Sequence, residues 1–415
     1  MDAPDPQPKG YTKSLKGLRR LGKRRDGRVR HRPLPWLRFS ISGCLASALF
    51  LSHAPNLGTF SPFLGLRLEE ILDRASGVAI SSIDVFFPSW TPPHVLALTA
   101  SSRPSPPRFV RGTTTTASAT EASDAPQASD APPPMFDAIA TYSTTLVTSG
   151  DPVDIYYPDP ATSGSTSHAF PIALFLQGAN VDKAYYAQYA QAVARYGFIV
   201  VVPNHRTSIL GRAALFAQVS QVPEALASLR MTREDVPFAQ MMDAEKLVLL
   251  GHSHGGMMGL DAIRGACDIP FCVGDYSIPE ELVAAAFFGT FLWEDGEYLP
   301  IDNADVPIAL IAGTRDSLIT PQETLGTYKK IYNPPKIFAL VKGSNHYGIT
   351  DVDNPPGSPQ EPNRQTLDRS TGIETIARWS ALFLRAHALG DRSAFDYIYN
   401  TKNNQDINVK VVSQP

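Results

Sequence analysis

Beyond residue 136, long apolar runs alternate with segments of helical periodicity, and this alternation restricts the possible folds more than any other feature. The runs are VDIYYP, PIALFLQG, FIVVVPNH, KLVLLG, LVAAAFFGTFL, VPIALIAG and KIFALVKG. A strand that is apolar on both faces must be covered on both faces, and helices placed between successive strands make those strands parallel. AYYAQYAQAVARYG and TPQETLGTYKKIY supply such helices. The expectation is one α/β domain over 136–400, a mostly parallel central sheet with helices on both faces, followed by a C-terminal tail at 401–415.

The chain before 136 has a different character. Residues 1–38 carry twelve Lys or Arg against three Asp, whereas the whole chain has a formal charge of −3. A basic head on an acidic body reads as a targeting or membrane-proximal segment. KGLRRLGKRRDGRVRHR lacks the interleaved aromatics on which bases would stack, so no nucleic-acid partner is expected. FSISGCLASALFLSHA (39–54) has no charged residue, and it is shorter than a membrane span. Residues 1–54 therefore read as a leader for export, membrane association or organelle targeting. In the poorly defined stretch 55–99, Ser61 and Pro62 open one amphipathic helical pattern. Residues 100–135, rich in Pro, Ser, Thr and Ala, read as a disordered spacer. Cys267 and Cys272 are close enough in sequence to pair after export, or to be two ordinary buried thiols.

The chemistry centres on KLVLLGHSHGGMMGL (246–260), where an apolar strand runs into a glycine-flanked serine and then a helix. A strand that turns abruptly into a helix brings two backbones together and leaves no room for Cβ atoms on either side of the serine. Ser253 is then presented at the carboxyl edge of the sheet, where reactive groups gather in open α/β folds. A serine hydroxyl needs a base. His252 and His254 leave the tight turn in directions away from the hydroxyl, so the base should come from later in the chain. His387 lies in a late amphipathic helix, WSALFLRAHALG, and reads as a packed or surface residue. His346, in the loop GSNHYG after a strand, is the expected base. Asp316, in GTRDSLITP, is the favoured acid, with Asp295 in FLWEDG as its competitor. The oxyanion donors should be the backbone N–H groups of His254 and of Ala179, the latter in the turn after IALFLQG. The HSH spacing offers no third ligand nearby, so neither a metal nor a cofactor is expected.

These residues resemble the α/β-hydrolase superfamily, and within it the chlorophyllase, cutinase and dienelactone-hydrolase-like esterases. PIALFLQGANVDKAYYAQYAQAVARYGFIVVVPNH is similar to the run leading to the serine in chlorophyllases, GHSHGG matches the GHSxGG form, and GTRDSLITP and GSNHYG resemble the acid and histidine loops. Gln177 stands where many relatives have His before the oxyanion glycine. The resemblance implies a serine esterase acting through an acyl-enzyme on a small-molecule or lipid-like ester. Only a short loop separates FLWEDG from VPIALIAG, so no large cap domain is expected there. Asn180, Met241, Met242 and Met257 are candidates for the substrate pocket, walled by the connection 206–242. Acyl transfer or peptide hydrolysis on the same fold, and a non-catalytic membrane-tethered binding protein, remain alternatives.

Overall fold

A computed structural model describes residues 114–117, 131–159, 161, 169–209, 212–267, 272, 278–400 and 406–415. The expected leader and the helical pattern after Ser61 lie outside these residues. In chain order the first elements are β1 (Thr114–Ala117), β2 (Ile139–Thr145), β3 (Pro152–Pro158) and β4 (Phe170–Leu176). A 3-10 turn at Lys183–Tyr186 leads into α1 (Ala187–Ala194), then β5 (Ile199–Pro203) and a hairpin of β6 (Arg206–Ile209) and β7 (Arg212–Leu215). Next come α2 (Gln221–Arg230), β8 (Met242–His252), α3 (His254–Arg264) and β9 (Leu282–Phe288). The short hairpin β10 (Trp293–Glu294) and β11 (Glu297–Tyr298) precedes β12 (Ile308–Gly313), α4 (Pro321–Tyr328) and β13 (Lys336–Val341). The chain ends with α5 (Arg369–Ala388), α6 (Arg392–Tyr399) and β14 (Val409–Gln414).

The main sheet has ten strands in the order β1-β2-β3-β5-β4-β8-β9-β12-β13-β14. From β5 to β13 all neighbours are parallel, and the antiparallel pairings lie at the two edges. This is the mostly parallel α/β architecture that the apolar runs predict. Every residue of β4 is buried, and its side chains divide between the two faces. Ala173 and Phe175 point into the core shared with α1 and α5; Ile172, Leu174 and Leu176 point into the core shared with α2, α3 and α4. Caps hold the helix starts: Thr320 and Glu323 form a reciprocal capping box at α4, with Pro321 at its first position.

Two boundaries differ from the sequence reading. The stretch expected as a spacer contains β1, which pairs with β2. The expected tail contains β14, which adds a tenth strand antiparallel to β13. Asp406 anchors this last segment by accepting from Arg378 Nη1 at 2.8 Å and Trp379 Nε1 at 2.9 Å, both on α5. These are contacts between residues far apart in sequence, and a strand as short as VKVVSQ shows no distinctive pattern before they form. Cys267 and Cys272 are joined by a disulfide.

Candidate active site

Ser253 joins β8 to α3 with φ 54° and ψ −123°, a backbone conformation that a non-glycine residue rarely adopts. The turn needs its glycines for space. A Cβ on Gly255 would lie 2.0 Å from the Leu176 carbonyl oxygen, and one on Gly251 would lie 3.0 Å from the Gly255 backbone. Ser253 N–H donates to Phe288 O at 3.0 Å, and Thr290 Oγ1 donates to Ser253 O at 3.0 Å. The serine is thus tied from both sides to the carboxyl end of β9.

The acid and histidine loops meet at the same strand end. His346 Nδ1 lies 2.8 Å from Asp316 Oδ2, and both side chains are buried. The other oxygen, Asp316 Oδ1, accepts the N–H groups of Leu318 at 3.1 Å and Ile319 at 2.8 Å. The pair packs on Gly289, where an added Cβ would lie 3.0 Å from Asp316 Oδ2 and 3.3 Å from His346 Nδ1. The competitor Asp295 is exposed in the β10–β11 turn, with φ 49°. Glu361, buried in the loop between β13 and α5, holds the residue after Asp316 by accepting from Ser317 N at 2.8 Å and from Ser317 Oγ.

Both histidines beside Ser253 are committed elsewhere. His252 is fully buried, with Nδ1 3.0 Å from Tyr186 Oη and Nε2 2.9 Å from His346 O. Burial, with a smaller contribution from the nearby His346, holds its pKa well below the ordinary histidine value. His254 Nε2 donates to Ala217 O at 3.3 Å, and its ring packs on Phe216 at 4.9 Å. Burial lowers its pKa to about 4. His387 is a packed helix residue, 2.9 Å from Tyr399 Oη, and burial likewise lowers it to about 4.

Gly178, Ala179 and Asn180 form the turn after β4. Gly178 N–H is spent on Tyr186 Oη at 3.0 Å, which leaves Ala179 as the turn's candidate donor. Asn180 takes φ 55° and clamps the β6–β7 hairpin: its N–H donates to Leu215 O at 2.7 Å, and its Oδ1 accepts from Leu215 N at 3.1 Å. Its side chain is a turn fastener. Gln177, fully buried, grips the backbone of His205 by accepting from N at 2.8 Å and donating to O at 3.3 Å. The glutamine therefore holds the loop after β5 against the loop after β4.

The methionines divide. Met257 is one turn into α3 and half-buried, and its N–H bonds to Ser253 O at 3.2 Å. Met241 and Met242 are corrected as pocket residues. Met242 pairs with Phe170 and Gly251 with Leu176, which separates the methionine from the elbow by six strand steps, roughly 20 Å. Met241 is buried in the core at the amino end of the sheet. Tyr186, Thr290, Gly289 and Glu361 carry no signal in the sequence, because an aromatic in an amphipathic segment reads as core and a loop acid reads as solvated.

A serine on a strained strand-to-helix turn and a buried Asp–His pair both sit at the carboxyl edge of this mostly parallel sheet, an arrangement that belongs to an α/β-hydrolase fold. Residues 141–269 match the family model described as Chlorophyllase, so the likeness to that group is shown over this stretch. The match points to an α/β hydrolase acting on esters. It includes Ala179, Ser253 and His254, whereas Asp316 and His346 lie beyond it. No curated protein matches the chain.

Proposed function

We propose that the protein is a carboxylic ester hydrolase that works through an acyl-enzyme on Ser253. The observation that carries this reading is the Asp316–His346 pair, buried against Gly289 at the strand end to which Ser253 is bonded. His346 takes the proton from Ser253 Oγ as the hydroxyl attacks the ester carbonyl, then delivers it to the leaving alcohol. Asp316 keeps a proton on Nδ1 and stabilises the imidazolium; its second oxygen is fixed by its own loop, which supports a single orientation of the pair. The N–H groups of Ala179 and His254 are the donors for the negative charge that develops on the carbonyl oxygen, and the start of α3 favours that charge. Water then enters by the same base and releases the acid.

Leu215 and Phe216, at the end of the β6–β7 hairpin, meet the turn after β4 and the His254 ring, and with Met257 they support an ester with an apolar group as substrate. The basic and then apolar first 54 residues support membrane translocation or association. The test uses the purified chain and its Ser253→Ala variant with chromogenic esters of short, medium and long acyl chains. Turnover should fall by up to about 10⁶-fold in the variant. A fluorophosphonate should label the wild type at Ser253. A folded wild type that neither turns over an ester nor takes the label would refute the reading.

A further inference from the structure

Two loops that must act together in a serine hydrolase, the oxyanion turn after β4 and the histidine loop after β13, are joined beneath Ser253 by one continuous chain of hydrogen bonds. Gly178 N–H donates to Tyr186 Oη at 3.0 Å, Tyr186 Oη lies 3.0 Å from His252 Nδ1, and His252 Nε2 lies 2.9 Å from the backbone carbonyl of His346. The proton positions follow from the partners. A carbonyl only accepts, so His252 carries its proton on Nε2 and donates to His346 O. Its Nδ1 is then a bare acceptor, which the Tyr186 hydroxyl proton must fill. The Tyr186 oxygen is left with lone pairs, one of which takes the Gly178 N–H. Each group has one role, and no group can be reversed without orphaning another.

Packing supports the same conclusion. Tyr186 and His252 are both fully buried, and the Tyr186 ring lies 4.4 Å from Phe175 of β4. A Cβ on Gly178 would lie 2.7 Å from His252 Nδ1 and 3.2 Å from Tyr186 Oη, so the oxyanion turn is seated directly on the relay. The ring of His252 also lies 4.8 Å from that of His346. Burying a phenol and an imidazole costs free energy unless both are fully bonded. A purely structural core position would be filled at lower cost by an apolar side chain.

We propose that Tyr186 and His252 are positioning residues: their relay sets the Gly178–Ala179 turn and the His346 loop as one unit, so that oxyanion donor and base are aligned together. The inference rests on the hydrolase reading above and goes beyond it by giving a task to the histidine that precedes the serine. A donor misplaced by a fraction of an ångström weakens binding of the developing charge while leaving the ground-state ester bound, so the relay should govern kcat more than KM.

The test compares Tyr186→Phe, which removes one oxygen and keeps the ring, with His252→Gln, His252→Leu and the Tyr186→Phe/His252→Leu double variant. Turnover of a chromogenic ester and inhibition by a phenylboronic acid, a mimic of the tetrahedral state, are measured on each folded protein. Tyr186→Phe should lower kcat about 10- to 100-fold with KM within about twofold, and boronate affinity should weaken by a similar factor. His252→Gln, which can still donate to His346 O, should retain more activity than His252→Leu. The double variant should be no worse than the poorer single one, because the relay is already broken. A Tyr186→Phe protein with wild-type kcat and boronate affinity overturns the inference even if its melting temperature has dropped. So do additive losses in the double variant. Fluorophosphonate labelling separates the two failures: a labelled wild type with an indifferent Tyr186→Phe variant sinks the relay alone, whereas an unlabelled, inactive wild type sinks the hydrolase reading and the relay with it.

Discussion

Asp316 binds His346 through one carboxylate oxygen and its own loop through the other, at 2.8 Å to His346 Nδ1 and at 3.1 and 2.8 Å to the N–H groups of Leu318 and Ile319. The division separates what an amide can replace from what it cannot. Asp316→Asn can keep a carbonyl oxygen on the two backbone donors, so the loop should survive. It cannot accept from Nδ1 with the charge that stabilises an imidazolium. Activity should fall by about 10⁴-fold with an unchanged circular-dichroism spectrum. Asp295→Asn, on the exposed β10–β11 turn, should leave kcat/KM near wild type; an inactive Asp295→Asn protein beside an active Asp316→Asn one would reverse the acid assignment.

The two methionine groups should behave differently on substitution. Met257→Ala opens space one turn from Ser253 and should shift the preferred acyl-chain length while costing little stability. Met241→Ala removes a buried core side chain roughly 20 Å away and should cost about 2–5 kcal/mol in urea unfolding without changing that preference. A chain-length shift in Met241→Ala would contradict the placement of the site.

Acid should weaken the fold. Burial lowers His254 and His387 to about 4 and holds His252 well below the ordinary value, whereas in an unfolded chain each takes a proton near pH 6.5, about the free histidine value. The unfolded state therefore binds more protons below that pH, so their contribution is complete above it and declines as pH falls toward 4. Asp351, raised to about 6 by burial, acts in the opposite sense: it favours the folded state in acid, and that advantage is lost as pH rises through 6. Three histidines outweigh one carboxylate. The urea midpoint should be lower at pH 5 than at pH 7.5 with the slope unchanged. An equal or higher midpoint at pH 5 would show that these rings are not held neutral.

The last strand should depend on one carboxylate. Asp406 accepts from Arg378 and Trp379 on α5, and Arg378 is itself buried. Asp406→Ala leaves part of that charge uncompensated, although Glu374 still binds the Arg378 Nε at 2.7 Å. A loss of about 3 kcal/mol in denaturant stability is expected, with earlier hydrogen exchange in residues 409–414 than in the neighbouring β13. Uniform exchange across both strands in the variant would mean that another contact holds β14.

Local pattern alone determined the parallel sheet and the serine turn, and it offered His346 as base and Asp316, with Asp295 as competitor, as acid. Continuous apolar runs have few ways to be buried, and the glycines at 251 and 255 answer a clash between adjacent backbones that any strand-to-helix turn of this kind must avoid. The order of the serine, acid and histidine loops follows from the same strand sequence. Tertiary structure decided what depends on which distant segments meet. Met241 is close to Ser253 in sequence, but a strand's length separates them. Asp316 and Asp295 follow neighbouring strands, and only the three-dimensional path of the loops brings one of them to His346. Tyr186 has ordinary core-like sequence surroundings, and the serine motif around His252 does not say where its ring goes. Their relay exists because the turn after β4, the 3-10 turn Lys183–Tyr186, the end of β8 and the loop after β13 converge at one point. β14 gains its place through a partner strand and a buried ion pair, neither of which its six residues encode.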